Sequence, residues 1–186
     1  MSRAIQVRVS ESVVRTVHVE DGVQTPLEVL PVLGKDRMAD LLGAELEKQG
    51  FTRDGAKAKR VDKDGLEIEI DLEASTVTVK LGADTKLQEE VELSARVGEE
   101  HKDHAEKHLR DDAQRELDAR VKEKTEALRR EVTKQLEGKL ADLKKELDGA
   151  IGAATVEALK ERAAQLGRIE EVAADGAGNV TIRVKV

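Results

Sequence analysis

The stretch TEALRREVTKQLEGKLADLKKEL, residues 125–147, decides the fold. Leu128, Val132, Leu136, Leu140, Leu143 and Leu147 recur in it with charged residues between them. Counted from Thr125, the stripe advances about 3.67 residues per turn, nearer an eleven-residue repeat than a heptad. That spacing predicts a straight or slightly right-handed helical pairing. Upstream the stripe continues through Leu109, Ala113, Leu117 and Val121. Opposite charges four residues apart support the exposed face by a few tenths of a kcal/mol each, as in Glu106 with Arg110 and Glu116 with Arg120. Unbroken to Asp148, the helix would be about 75 Å long. A stripe of that length needs a partner. The expected interaction residues of this charged, coiled-coil-like arm are therefore Leu117, Val121, Leu128, Val132, Leu136, Leu140, Leu143 and Leu147.

Gly138 and the Gly149-Ala150-Ile151-Gly152 stretch are the places where the arm can turn. Glycine within a helix costs about 1 kcal/mol relative to alanine. A turn at Gly138 is expected, because its two segments of similar length return the chain to its starting sheet. Ala153 to Leu166 resumes a helical pattern with Gly167 as its stop. The chain then reads as a hairpin, Ile169 to Ala174 and Val180 to Val186 around Asp175-Gly176-Ala177-Gly178-Asn179. Its expected place is in the earlier sheet, since a lone two-stranded hairpin is marginally stable.

Residues 1–98 read as a small α+β base. Ile5, Val7 and Val9 alternate, as do Val13, Val17 and Val19 apart from the polar Arg15. Leu27 to Leu33, interrupted by Pro31, is at best an edge strand. Met38, Leu41, Leu42 and Leu46 mark an amphipathic helix that Gly50 stops, with Phe51 placed to fold back on the last turn. Leu66, Ile68, Ile70 and Leu72 alternate with acidic residues, and Val77, Val79 and Leu81 with Thr and Lys, so a hairpin is expected across Glu73-Ala74-Ser75. A further strand runs near Val91, Leu93, Ala95 and Val97. The expected fold is thus α+β, with small antiparallel sheet elements at 1–98, a helical arm at 99–166 and a C-terminal hairpin at 167–186.

Composition narrows the function. Of 186 residues 38% are charged and 1% aromatic, with Phe51 the sole aromatic ring and neither Trp, Tyr nor Cys present. Without stacking rings, a platform for single-stranded nucleic acid is disfavoured. A net charge of −7 disfavours a phosphate-backbone partner. The absence of cysteine excludes disulfides, thiolate metal sites and cysteine nucleophiles. No apolar leader or membrane-length apolar run stands out, so a cytoplasmic location is expected.

The sharpest chemical feature is His101, His104 and His108. Imidazoles one helical turn apart can share a metal ion. The zinc-protease pattern fails here, because position 105 is Ala and Glu106 is rotated away from a base position. A solvated helix face is the expected reading. Glu67, Glu69, Asp71 and Glu73 share one strand face and read as its solvent side. Gly176 to Asn179 joins two strands and opens no helix, so hairpin geometry accounts for it better than phosphate binding. His18 reads as a surface histidine. No catalytic residue and no cofactor is expected.

The sequence Ala163-Ala164-Gln165-Leu166-Gly167-Arg168-Ile169-Glu170-Glu171-Val172, followed by Gly178-Asn179-Val180-Thr181-Ile182-Arg183-Val184, carries a resemblance. It resembles the helix–glycine–hairpin ending of small bacterial accessory proteins encoded beside MoxR- or FtsH-type AAA+ ATPases and von Willebrand A proteins, the ternary systems. Similar text occurs in residues 38–81. The resemblance implies a non-catalytic subunit acting beside an ATPase, with the ATPase and a von Willebrand A protein as partners. Three functions stay open: an adaptor or accessory subunit, a scaffold whose arm pairs with copies of itself, and a metal-dependent enzyme using the histidines.

Overall fold

The computed structural model describes residues 4–174 and 180–185. Its elements are β1 (Ala4–Pro26), α1 (Lys35–Lys48), β2 (Thr52–Asp54), β3 (Lys57–Val61), β4 (Leu66–Asp71), β5 (Thr76–Gly98), a 3-10 turn (Glu99–His101), α2 (Lys102–Leu166), β6 (Arg168–Ala174) and β7 (Val180–Lys185). Five strands form a sheet in the order β1-β5-β4-β3-β2, and β6 with β7 forms a second, two-stranded sheet. The class is α+β, as the sequence implies. Contacts divide the chain into two units. One holds the chain up to Asp21 with Gly82–Lys134, the other Gly22–Leu81 with the chain from Gln135. The expected division at residues 98 and 166 therefore differs from the contact units. Long strands and a long helix bring distant stretches of sequence into the same unit.

In the first unit β1 runs antiparallel to β5, since ascending residues of one meet descending residues of the other. The Ser10 hydroxyl donates to Glu90 at 2.8 Å, and Arg8 lies 3.9 Å from Glu92. A side chain built on Gly82 would meet the His18 ring. Val7, Val9, Val19 and Val91 are buried on one face. Helix α2 lies on that face, with Ala113 and Leu117 in one buried cluster with Val91, against Val13 and Leu93. The sequence suggests two short strands in place of β1 and two in place of β5, because polar residues interrupt each apolar run. The interruptions are satisfied rather than excluded. Glu11 lies 3.3 Å from Arg110, and the buried Glu89 pairs with Lys124.

In the second unit, β4 supplies the centre of the core. Leu66, Ile68, Ile70 and Leu72 are buried, as are Val77, Val79 and Leu81 of β5. Their register pairs Ile68 with Val79 and Ile70 with Val77, and on the other face Glu67 with Lys80. Glu69 on that outer face lies 2.5 Å from Lys57 and 3.0 Å from Lys59, and these ammonium groups hold its carboxyl below the ordinary range. Helix α1 buries Met38, Leu42 and Leu46. Its end is a Schellman motif: Gly50 N–H donates to the Glu47 carbonyl and Phe51 N–H to that of Leu46. Gly50 takes φ +87°, the left-handed conformation this motif requires. Phe51 folds back and is buried, as the sequence predicts.

Several expectations need correction. β2 and β3 carry no apolar alternation because the inward positions of β3 are Ala58 and Arg60. Ala58 pairs with Ile70, and Arg60 with Ile68. Residues 27–33 form no strand; β1 ends at Pro26, and Leu27 N–H donates to the Ser75 carbonyl at 2.7 Å. The arm does not turn. Gly138, Gly149 and Gly152 all lie inside the single 65-residue helix α2. The glycine penalty is small beside the burial of the stripe on either side of each. The terminal hairpin does not rejoin the base sheet, since β1 and β4 already occupy both sides of β5. In it Ile169 pairs with Val184 and Val172 with Ile182. The expected tip at 175–179 and the last residue, Val186, lie outside the described residues.

Candidate functional site

The stripe residues expected to face a partner are mostly interior to their own chain. Leu117, Val121, Val132, Leu136, Leu143 and Leu147 are buried, and Leu128 and Leu140 are half-buried. At Ala113 and Leu117, and again from Leu140 to Ile151, strands β1 and β5 of the same chain face the stripe of α2. The eleven-residue spacing survives as the spacing of buried positions, from Leu117 through Val121, Val132, Leu136, Leu143 and Leu147 to Ala150, Ala154 and Ala158.

Within the second unit this cover is incomplete. An apolar groove of about 470 Å³ opens among the end of β1, β5 and α2. Val77 and Val79 come from β5, Leu140, Leu143, Leu147 and Ile151 from α2, and Val23 and Thr25 from β1, with Leu27 just beyond. Glu28, Lys144 and Asp148 add exposed charges to the lining. Val77 and Val79 are almost fully buried, whereas Val23 is 37% exposed. A groove of this size lined by apolar side chains with charges at its mouth suits an apolar stretch of polypeptide. β1 is also the edge strand of the five-stranded sheet.

An ion pair fixes the helix that forms one wall. The Arg60 guanidinium donates to both carboxylate oxygens of Glu146, at 2.5 and 2.8 Å, and to the Gln49 carbonyl at 3.0 Å. Its Nε lies 2.9 Å from Asp62, and its Cζ sits 4.4 Å from the centre of the Phe51 ring. The bidentate bond raises the Arg60 pKa and holds the Glu146 carboxyl below the ordinary range, with partial burial opposing both shifts. Bidentate pairing of this kind fixes orientation as well as distance. It ties α2 between Leu143 and Leu147 to β3 and the end of α1. Glu161, farther along α2, pairs with Arg37 of α1.

The histidines lie elsewhere. His101 belongs to the 3-10 turn and His104 and His108 to the first turns of α2; all three are exposed. The Nε2 atoms of His104 and His108 are 3.1 Å apart, and their rings meet edge to face. Among the described residues, no three His, Asp or Glu side chains group closely enough to hold a metal ion. His18 is exposed, with Nδ1 2.9 Å from Asp84.

Sequence reasoning found Leu140, Leu143 and Leu147 but assigned them to a helical partner. It missed Val23, Leu27, Val77, Val79 and Ile151 as groove residues. A signal existed: Leu140 and Ile151 flank the main stripe and widen it to two columns over that length. No described helix is long and apolar enough to cross a membrane.

The chain belongs to the FtsH ternary system domain X5 family, whose pattern matches residues 1–186. No curated protein and no solved structure matches it. The family agrees with the resemblance carried by the C-terminal sequence, and its name makes the chain a component of an FtsH-associated ternary system.

Proposed function

We propose that this chain is a non-catalytic adaptor that binds a protein partner of its ternary system, acting in the cytoplasm beside an FtsH-type AAA+ ATPase. The groove between β1, β5 and α2 carries the reading. Its apolar walls take alternate side chains of an extended apolar segment, and the end of β1 offers backbone groups to the same segment. The Arg60–Glu146 pair holds the helical wall in place, so the groove is formed before the partner arrives. The AAA+ ATPase and the von Willebrand A protein of the system are the partners to try first.

Co-sedimentation of the chain with each of those two proteins tests the proposal. Binding to at least one is expected. Val23→Glu sets a charge at the groove mouth on a residue already 37% exposed, so the fold should survive. Affinity should fall by about tenfold or more. Undiminished binding by a folded Val23→Glu chain would remove the groove from the account. Failure of the unaltered chain to bind either protein would remove the adaptor role.

A further inference from the structure

The first unit carries a self-complementary edge. β1 is the outermost strand of the five-stranded sheet, and its pairing with β5 holds one register past Gln6, Arg8 and Ser10. From residue 7 to residue 19, β1 turns Val7, Val9, Glu11, Val13, Arg15, Val17 and Val19 to the face toward α2. Read outward from Val13, these seven residues are symmetric in apolarity and antisymmetric in charge, and the symmetry ends at the next pair, Ile5 and Asp21. Valine answers valine at 9 and 17 and again at 7 and 19, and Glu11 answers Arg15.

We infer that two copies of this chain associate through β1, antiparallel and two-fold symmetric about Val13. In that register Glu11 of each copy lies opposite Arg15 of the other, Val9 opposite Val17 and Val7 opposite Val19. Directly opposed opposite charges stabilise a strand pair, and like charges destabilise it. Neighbouring registers are worse. Shifting the pairing by one step sets Glu11 or Arg15 against valine, and a further step sets Glu11 against Glu11 or Arg15 against Arg15. The charges thus select one alignment, as register specification requires.

The other face of β1 tolerates the same alignment. Ser10 meets Thr16, and Arg8 meets His18, with Glu92 beside Arg8 and Asp84 beside His18. The helices fit as well. Each α2 lies over its own β1 and β5, touching Val13 on one and Val91 and Leu93 on the other. Strands spaced about 4.8 Å apart would set the two helices about 10 Å apart, the ordinary distance for packed helices. Glu11 already lies 3.3 Å from Arg110, so in the dimer it sits between two guanidinium groups. Among the described residues this register pairs Ala4 to Gly22, and the groove of the second unit uses β1 from Val23 onward.

Sedimentation equilibrium of the full chain tests it. The unaltered chain, 20.4 kDa, should sediment at twice that mass in the micromolar range. Arg15→Glu sets a second carboxylate against Glu11 at two places and should weaken association by about tenfold or more. An equimolar mixture of Arg15→Glu and Glu11→Lys chains restores opposite charges at both places and should dimerise again. A spin label on Ser12→Cys, which keeps all charges, should find its symmetry mate within roughly 20 Å. A monomer at 100-fold higher concentration, a dimer indifferent to Arg15→Glu in a chain of unchanged circular dichroism, or no short label distance would each overturn the inference.

Discussion

Leu136→Asp should lower stability by about 3 kcal/mol or more, because it removes a buried leucine and replaces it with a charge that water cannot reach. For a chain of this length that amounts to roughly 6–12 °C in melting temperature. The control is Leu159→Asp on the same helix, where the side chain is 38% exposed. There the change should stay within about 1 kcal/mol. Thermal unfolding followed at 222 nm reads both. Equal, small effects at the two positions would mean that the stripe faces water at Leu136, and the burial of α2 on its own strands would be wrong there.

The opposite sign is expected at three glycines. Gly138, Gly149 and Gly152 lie inside α2, and a side-chain carbon at each would point into open space. Alanine at a helical site that accepts it stabilises by about 0.5–1 kcal/mol, chiefly by restricting the unfolded chain. Replacing all three should therefore add about 2 kcal/mol and raise the melting temperature by roughly 4–8 °C. A turn at any of them would reverse the result, since a glycine that stops a helix adopts the left-handed conformation that alanine resists. A fall in melting temperature for one single variant would locate such a turn.

These glycines also show where the sequence could be read and where it could not. The period of the stripe announced the helix and its buried face. The continuity of the helix depends on packing on both sides of Gly138, which local sequence does not carry. Similarly, Leu66 to Leu72 and Val77 to Leu81 advertised their hairpin through clean alternation. β3 stayed hidden because its inward residues are Ala58 and Arg60, and Arg60 becomes acceptable there only when Glu146, 86 positions later, arrives to pair with it. Glu11 and Glu89 fall between the apolar runs of the sequence, and their partners Arg110 and Lys124 are far along the chain. A partner for the stripe was legible as a need. Its identity as a sheet followed only from the length of β1 and β5, which those satisfied carboxylates make possible. The groove was half legible, through the doubled apolar column at Leu140 and Ile151, while its other wall depends on strand order.

The apolar stripe of α2 is buried within its own chain. Amide hydrogen exchange along α2, measured on the full chain at two concentrations a hundredfold apart, tests it most directly. Strong protection is expected from Ala113 to Ala158, including Gly138, already at the lower concentration, where the chain is a monomer. At the higher concentration association through β1 adds protection to β1 and to α2 where the two copies meet. Weak protection of α2 at the lower concentration that recovers only at the higher would mean that a second copy covers the stripe, and rapid exchange at Gly138 would mean that the helix is broken; either result overturns burial of the stripe within its own chain.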